Sequence, residues 1–155
     1  MKTTAENPQE KVVVTNRKAL HDYFILDRFE TGIVLKGTEV KSLRQGSANL
    51  QDGYALIKNG EVWLLGLHIS PFEKGNINNH DPRRDRKLLM HREEIRRLIG
   101  KVSEKGLTLV PLRIYFKHNI VKIELGLARG KKSYDKREAI AKRDAERQLR
   151  REYAR

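Results

Sequence analysis

A small antiparallel β-barrel with helices set between its strands is the fold class this sequence predicts, and three observations predict it. Asn59-Gly60 sits between two apolar runs in "DGYALIKNGEVWLLGLHIS", and this dipeptide accepts the positive φ angles of a tight hairpin turn. In "LTLVPLRIYFKHNIVKIELGLA", Ile114, Phe116, Val121, Ile123 and Leu125 alternate with polar residues across a turn near His118-Asn119, the period-2 pattern of a half-buried sheet. The third is length: 155 residues supply one core plus appendages.

Taken along the chain, residues 1–11 hold Pro8 and few apolar groups and read as a flexible N-terminal arm. A mostly stranded domain follows from Val12 to Ala128. "YFILDRFETGIVLKG" gives two β-rich halves. "TEVKSLRQG" forms about two helical turns, with Thr38 as N-cap and Gly46 as stop. "PFEKGNINNHDPRRDRK", Pro71 to Lys87, is a polar loop long enough to imply function or disorder. The helix of "HREEIRRLIGKVSEKG" places Ile95, Leu98, Ile99 and Val102 on one face, with Glu93 and Glu94 in its first turn, Lys101 and Lys105 near its last, and Gly106 after it. Five or six short strands with a helix between them fit a closed or partly open barrel of the oligonucleotide-binding (OB) class. A split sheet packed under helices is the alternative.

Charge narrows the partner. Lys and Arg number 33 against 20 Asp and Glu, a net +13 with a pI near 10.1, which points to a polyanion. Basic membrane-surface helices carry Trp, Phe and Leu on their other face, and none is visible. There is no cysteine, so disulfides, thiolate catalysis and Cys-based zinc sites are excluded. No apolar leader or span-length run occurs, and a soluble, cytoplasmic protein is expected. The five histidines are not spaced as metal ligands on a helix, "GLARGKK" lacks the spacing and hydroxyl of a phosphate-binding loop, and no nucleophile elbow is present. No catalytic residue, metal or cofactor is expected, and the protein is not read as an enzyme.

The last segment, residues 129–155, reads as a helix with little to bury. From Gly130 to Arg155 ten Lys or Arg face five acids. Asp135 and Glu138 form a variant capping box, and Glu138 with Lys142 and Glu146 with Arg150 are i,i+4 pairs. The apolar ladder Ala141, Ala145, Leu149 and Tyr153 is narrow and half alanine, and no a/d heptad repeat supports a coiled coil. A solvated helix lying loosely on the domain is one reading. The other is a segment that orders against phosphates, with Tyr134 stacking on a base between Lys131, Lys132, Lys136 and Arg137. Arg83, Arg84, Arg86 and Lys87 form a second basic patch, and Asn16, Arg17 and Lys18 a third beside a strand start.

"NRKALHDYFI", "GIVLKGTEVKSLRQG", "ANLQDGYA", "GEVWLLGLHISPFEKG", "DPRRDRKLLMHREEI", "KGLTLVPLRIYF" and "VKIELGLARGKKSYDKRE" together resemble the small protein B family, the SsrA-RNA-binding proteins of bacteria, from about Val12 to the C-terminus. The resemblance implies a non-enzymatic factor with an OB-like barrel that binds the tRNA-like domain of transfer-messenger RNA and delivers it to ribosomes stalled without a stop codon. Elongation factor Tu would be an indirect partner through the charged RNA. The tail would enter the decoding site and the empty mRNA channel and become helical on the ribosome. Asn16, Glu30 and Leu89 fall at positions associated with the family's RNA-binding face. Arg17 and Lys18 adjoin them, and Arg83, Arg86 and Lys87 would extend the patch. Glu30 would add selectivity by accepting from base donors such as guanine N1-H and N2-H2. Lys131 and Lys132, then Asp135, Lys136 and Arg137, match the family's tail motifs. Tyr134, Lys142, Arg143 and Arg147 would complete the ribosome-facing set. A ribosome-bound structural protein or a sequence-tolerant single-strand binder on the same barrel is the competing reading.

Overall fold

The computed structural model describes residues 10–72, 79–104 and 106–153, and for 133–140, 152 and 153 the backbone alone. In chain order the elements are β1 (Glu10–Thr15), α1 (Arg17–Asp22), β2 (Tyr23–Ile33), α2 (Gly37–Arg44), β3 (Ala48–Asn49), β4 (Tyr54–Lys58), β5 (Glu61–Leu65), β6 (His68–Ile69), β7 (Arg86–Leu89), α3 (Arg92–Val102), β8 (Leu107–Lys117), β9 (Ile120–Gly130) and α4 (Lys131–Tyr153).

Both predicted hairpins form. β4 and β5 turn at Asn59-Gly60, with φ of 53° and 73°, and β8 and β9 turn at His118-Asn119, with φ of 50° and 63°. β2 is one strand where two halves were expected. It pairs with β9 along nearly its whole length and absorbs an irregularity between Ile25 and Asp27. The strand order β1-β8-β4-β5-β7-β2-β9 closes on itself through β8–β9, so the sheet is a ring and not the split alternative. β3 and β6 make a separate two-stranded ribbon.

The interior is filled by alternate residues such as Val62, Leu64, Leu88, Ile114, Ile123 and Leu125, which leaves the intervening side chains outside. α3 buries Leu98 as its periodicity predicts, with Ile95 and Val102 partly covered, but Ile99 remains 45 % exposed. A second, smaller core lies outside the ring, where Ala19 of α1 covers Val110, Leu112 and Ala128. Gly126 permits this, because a Cβ there would stand 2.9 Å from Leu112 Cδ1.

Three boundaries differ from expectation. β1 begins at Glu10, opposite Lys117, so two residues assigned to the arm belong to the sheet. α1 was not anticipated. α2 is entered from Lys36, whose amide donates to Glu39 Oε1 (2.9 Å), while Thr38 hydrogen-bonds His80 Nδ1 (2.9 Å) and does not cap the helix.

Candidate nucleic-acid interface

The outer surface of β7, β2, β9 and β8 carries a polar lattice built by strand register. Glu30 lies directly opposite Glu124, a like-charge pair that costs free energy unless cations separate it. Here they do. Glu124 accepts from Arg28 Nη1 (2.6 Å) and Arg113 Nε (2.8 Å). Glu30 accepts from the Tyr115 hydroxyl (2.5 Å) and from Lys117 Nζ (3.3 Å). The Arg113 guanidinium lies 4.2 Å from the centre of the Tyr115 ring, adding a cation–π contact. The Tyr115 hydrogen bond, opposed by partial burial and reinforced by Lys117, holds the Glu30 carboxyl below its ordinary pKa of 4.5. Burial first, then the bond to Glu30, pushes the Tyr115 phenol up.

One step along β2, Gly32 faces Lys122 of β9 and Leu89 of β7. A Cβ at Gly32 would lie 3.2 Å from Leu89 Cβ, so the glycine lets Leu89 lean across the strand while staying 51 % exposed. Lys87, two residues before Leu89, shares its face and pairs loosely with Glu61 (3.4 Å). Glu30, Gly32, Leu89, Lys122 and Lys87 therefore form a contiguous outer patch that mixes acceptor, apolar and cationic groups.

α1 sits on the same outer surface over the second core. Arg17 and Lys18 are exposed on it. At its end, the His21 hydrogen bond holds Asp22 below its usual range, with Lys18 and Lys132 contributing through space. Lys131 places its ammonium 5.3 Å from the Phe24 ring centre. Farther along the chain, residues 141–151 of α4 are exposed at every position.

The segment that precedes β7 is held by buried charge. Arg86 and Glu39 are both 0 % exposed. Glu39 Oε2 accepts from Arg86 Nε (2.5 Å), and its Oε1 accepts from Arg84 Nε (3.1 Å) and Nη2. Arg86 also donates to the carbonyls of Leu67 (2.7 Å), Arg84 (3.2 Å) and Pro82 (3.1 Å). Burial works to raise the pKa of Glu39, but the bonds from Arg84, the Lys36 amide and Arg86 outweigh it and keep the carboxylate ionised.

The family model described as "SmpB protein" matches residues 13–155. The SsrA-binding protein of Carboxydothermus hydrogenoformans is 65% identical over 140 residues, covering 90% of this chain and 94% of that one. The SsrA-binding protein of Desulforudis audaxviator is 64% identical over 140 residues, with 90% and 92% covered. The chain belongs to the SmpB family. A solved chain described as "tmRNA-SmpB: a journey to the center of the bacterial ribosome" is 57% identical with a TM-score of 0.66, covering 76% of this chain and 83% of that one.

Set on this SmpB fold, the sequence-predicted residues divide. Arg17, Lys18, Glu30, Arg83, Lys87 and Leu89 reach the surface wholly or in part. Asn16 does not: it is buried, its Oδ1 accepts from the Ala19 amide (3.1 Å) as the N-cap of α1, and its Nδ2 donates to Leu50 O (3.1 Å) and Pro111 O (2.9 Å). Arg86 points inward, because the alternation of β7 assigns Arg86 and Leu88 to the core and Lys87 and Leu89 to the outside. Neither residue offers its side chain to a partner in this structure. In the tail, Lys132, Lys142, Arg143 and Arg147 are exposed and Lys131 is half-buried. The side chains of Tyr134, Asp135, Lys136 and Arg137 lie outside the described residues, but the helical backbone begins at Lys131, so Asp135 is inside the helix and is not its N-cap.

Sequence reasoning missed Lys122, Tyr115 and the Glu39 cluster. The alternation of 120–125 would have put Lys122 on the outer face of β9; nothing local in the sequence pairs Glu39 with residues 45 and 47 positions away. Among the described residues no His, Asp and Glu side chains gather as a metal site, and no helix is long and apolar enough to cross a membrane.

Proposed function

We propose that this chain is a ribosome-rescue factor that binds the tRNA-like domain of transfer-messenger RNA, carries it to ribosomes stalled without a stop codon, and enables tagging of the nascent peptide for degradation. Family membership carries the reading, since the relatives are SsrA-binding proteins and the solved neighbour's description joins tmRNA, SmpB and the bacterial ribosome. The geometry supports it. On the barrel, Glu30 keeps its side chain 39 % exposed while bound to Tyr115 and Lys117, so a carboxylate oriented by its neighbours has lone pairs left for base donors. Leu89 supplies an apolar contact beside it, and Arg17, Lys18, Arg83, Lys87 and Lys122 neutralise phosphates. The second partner surface is α4, which enters the decoding site and the empty mRNA channel. Lys131, Lys132, Tyr134, Asp135, Lys136, Arg137, Lys142, Arg143 and Arg147 face ribosomal RNA there.

The factor contributes binding and no covalent chemistry: peptide transfer belongs to the ribosome, alanylation of the RNA to a synthetase, and contact with elongation factor Tu is made by the charged RNA. It works in the cytoplasm. Competition binding at moderate salt tests the reading. The chain should prefer a folded tRNA-like RNA over an unstructured oligonucleotide of equal length; the opposite order would make it a single-strand binder, and metal-dependent cleavage of the bound RNA would make it a nuclease.

A further inference from the structure

We infer that Glu39 is a positioning residue for RNA recognition: through Arg84 and Arg86 it fixes the register of β7, so that Lys87 and Leu89 stand outside the barrel in one arrangement. The inference rests on the RNA-binding reading above.

β7 has four residues, paired with β2 through Gly32–Leu89 and Ile33–Leu88 and with β5 through Val62–Leu88, Trp63–Lys87 and Leu64–Arg86. Ladder bonds join backbone to backbone, so they leave the choice of inward-facing residues to the side chains. A slip of one residue would turn Lys87 and Leu89 into the core and expose Arg86 and Leu88. Leu88 alone resists this poorly, because apolar burial is non-directional and Leu89 is as apolar as Leu88. The fork of Arg86 is directional. Its four bonds reach Glu39 on α2, Leu67 between β5 and β6, and Pro82 and Arg84 in the approach to β7, and a one-residue slip would carry Arg86 away from Glu39 and Leu67. Arg84 adds a bond to the Val34 carbonyl at the end of β2 (3.1 Å), and the adjacent Thr38–His80 contact, with His80 Nε2 on Ile69 O (2.9 Å), ties α2 to the same segment.

Stability by itself does not call for such a cluster, since buried ion pairs are often replaceable by apolar groups without loss. Their attested use is to select one register. Glu39 is the element both arginines share.

The test separates register from stability. In the full chain, Glu39→Gln leaves the buried Arg86 and the half-buried Arg84 guanidinium groups without their shared counter-charge and should lower the melting temperature. The double variant Glu39→Leu/Arg86→Met removes the charge pair and should recover most of that loss. Each is compared, where circular dichroism shows it folded, for its preference for a tRNA-like RNA over an unstructured oligonucleotide, and by amide NMR of Lys87 and Leu89. Both variants should lose about tenfold of the preference, the scale of one or two misplaced contacts, and the β7 amides should show more than one environment. A double variant with restored stability, single β7 resonances and the native preference overturns the proposal, and does so even where Glu39→Gln fails to fold. Lys87→Ala and Leu89→Ala in the native background are the controls. Native preference in both would refute the RNA-facing surface itself, a result distinct from failure of the register argument.

Discussion

Glu30 and Glu39 are both carboxylates held below their ordinary range, yet they do different work because one is at the surface and the other is not. Glu30 is the acceptor for a phenol that is itself buried, with Tyr115 1 % exposed. Glu30→Lys removes that acceptor and sets a second ammonium beside Lys117, so urea unfolding should register a loss of about 1–3 kcal/mol for the unsatisfied hydroxyl. Preference for tRNA-like RNA should fall although net charge rises; a gain in both affinity and preference would remove Glu30 from the base-reading role. For Glu39 the folded pKa is depressed below 4.5. Its contribution is therefore fully present above that value and is lost as pH falls through the lower, folded value. The stability difference between the native chain and Glu39→Gln should be large at about pH 6 and shrink on acidification below about pH 4. A difference independent of pH would mean that the ionised form is not what the arginines need.

Elements repeat the contrast between what is built from neighbours in sequence and what is built from neighbours in space. The two hairpins were legible because Asn59-Gly60 and the alternation around His118-Asn119 are local signals, and α3 was legible because its helical period is. α1 was not: six residues bury a single alanine, too little for periodicity to register, and its cap residue Asn16 is anchored by carbonyls 34 and 95 positions away. The basic cluster before β7 was misread in part for the same reason, since the counter-charge that turns Arg86 inward comes from α2. α4 shows the reverse. Its helicity was evident from i,i+4 pairs, and α4 runs as helix from Lys131 to Tyr153; what the barrel withholds is cover for residues 141–151. Such a helix is marginal in water and adds little to the barrel. Truncation after Gly130, which spares the pairings of Arg129 and Gly130 with β2, should leave the melting temperature and RNA binding nearly unchanged while rescue of stalled ribosomes is abolished. Ala145→Pro, costing about 3 kcal/mol of local helix stability, should do the same without shortening the chain. A drop in barrel stability with either variant would show that α4 is docked.

At the scale of the molecule, the ring is closed unevenly. β2, β9 and β8 are joined along almost their full lengths, whereas β4 meets β8 at one bridge, Ala55 with Leu109. Close approaches make up for the missing ladder: a Cβ on Gly53 would stand 2.7 Å from Pro111 Cγ, so only glycine lets the two strands come together there. Asn16 spans the seam, one amide group donating to Leu50 on the β4 side and to Pro111 on β8. The residue that the family pattern associates with RNA thus acts, in this fold, by holding the barrel shut beneath α1, where Arg17 and Lys18 are displayed. Asn16→Ser isolates that role, because serine still caps the helix but cannot donate to both carbonyls. Two buried acceptors left unpaired should cost about 2–4 kcal/mol, and the loss should appear as faster hydrogen exchange at Leu109 and Ala55 with little change along β2–β9. RNA affinity should weaken in step with seam opening and recover at lower temperature, where the closed ring is repopulated. Unchanged protection at the seam with lost RNA affinity would instead mean that the Asn16 amide itself reaches the nucleic acid.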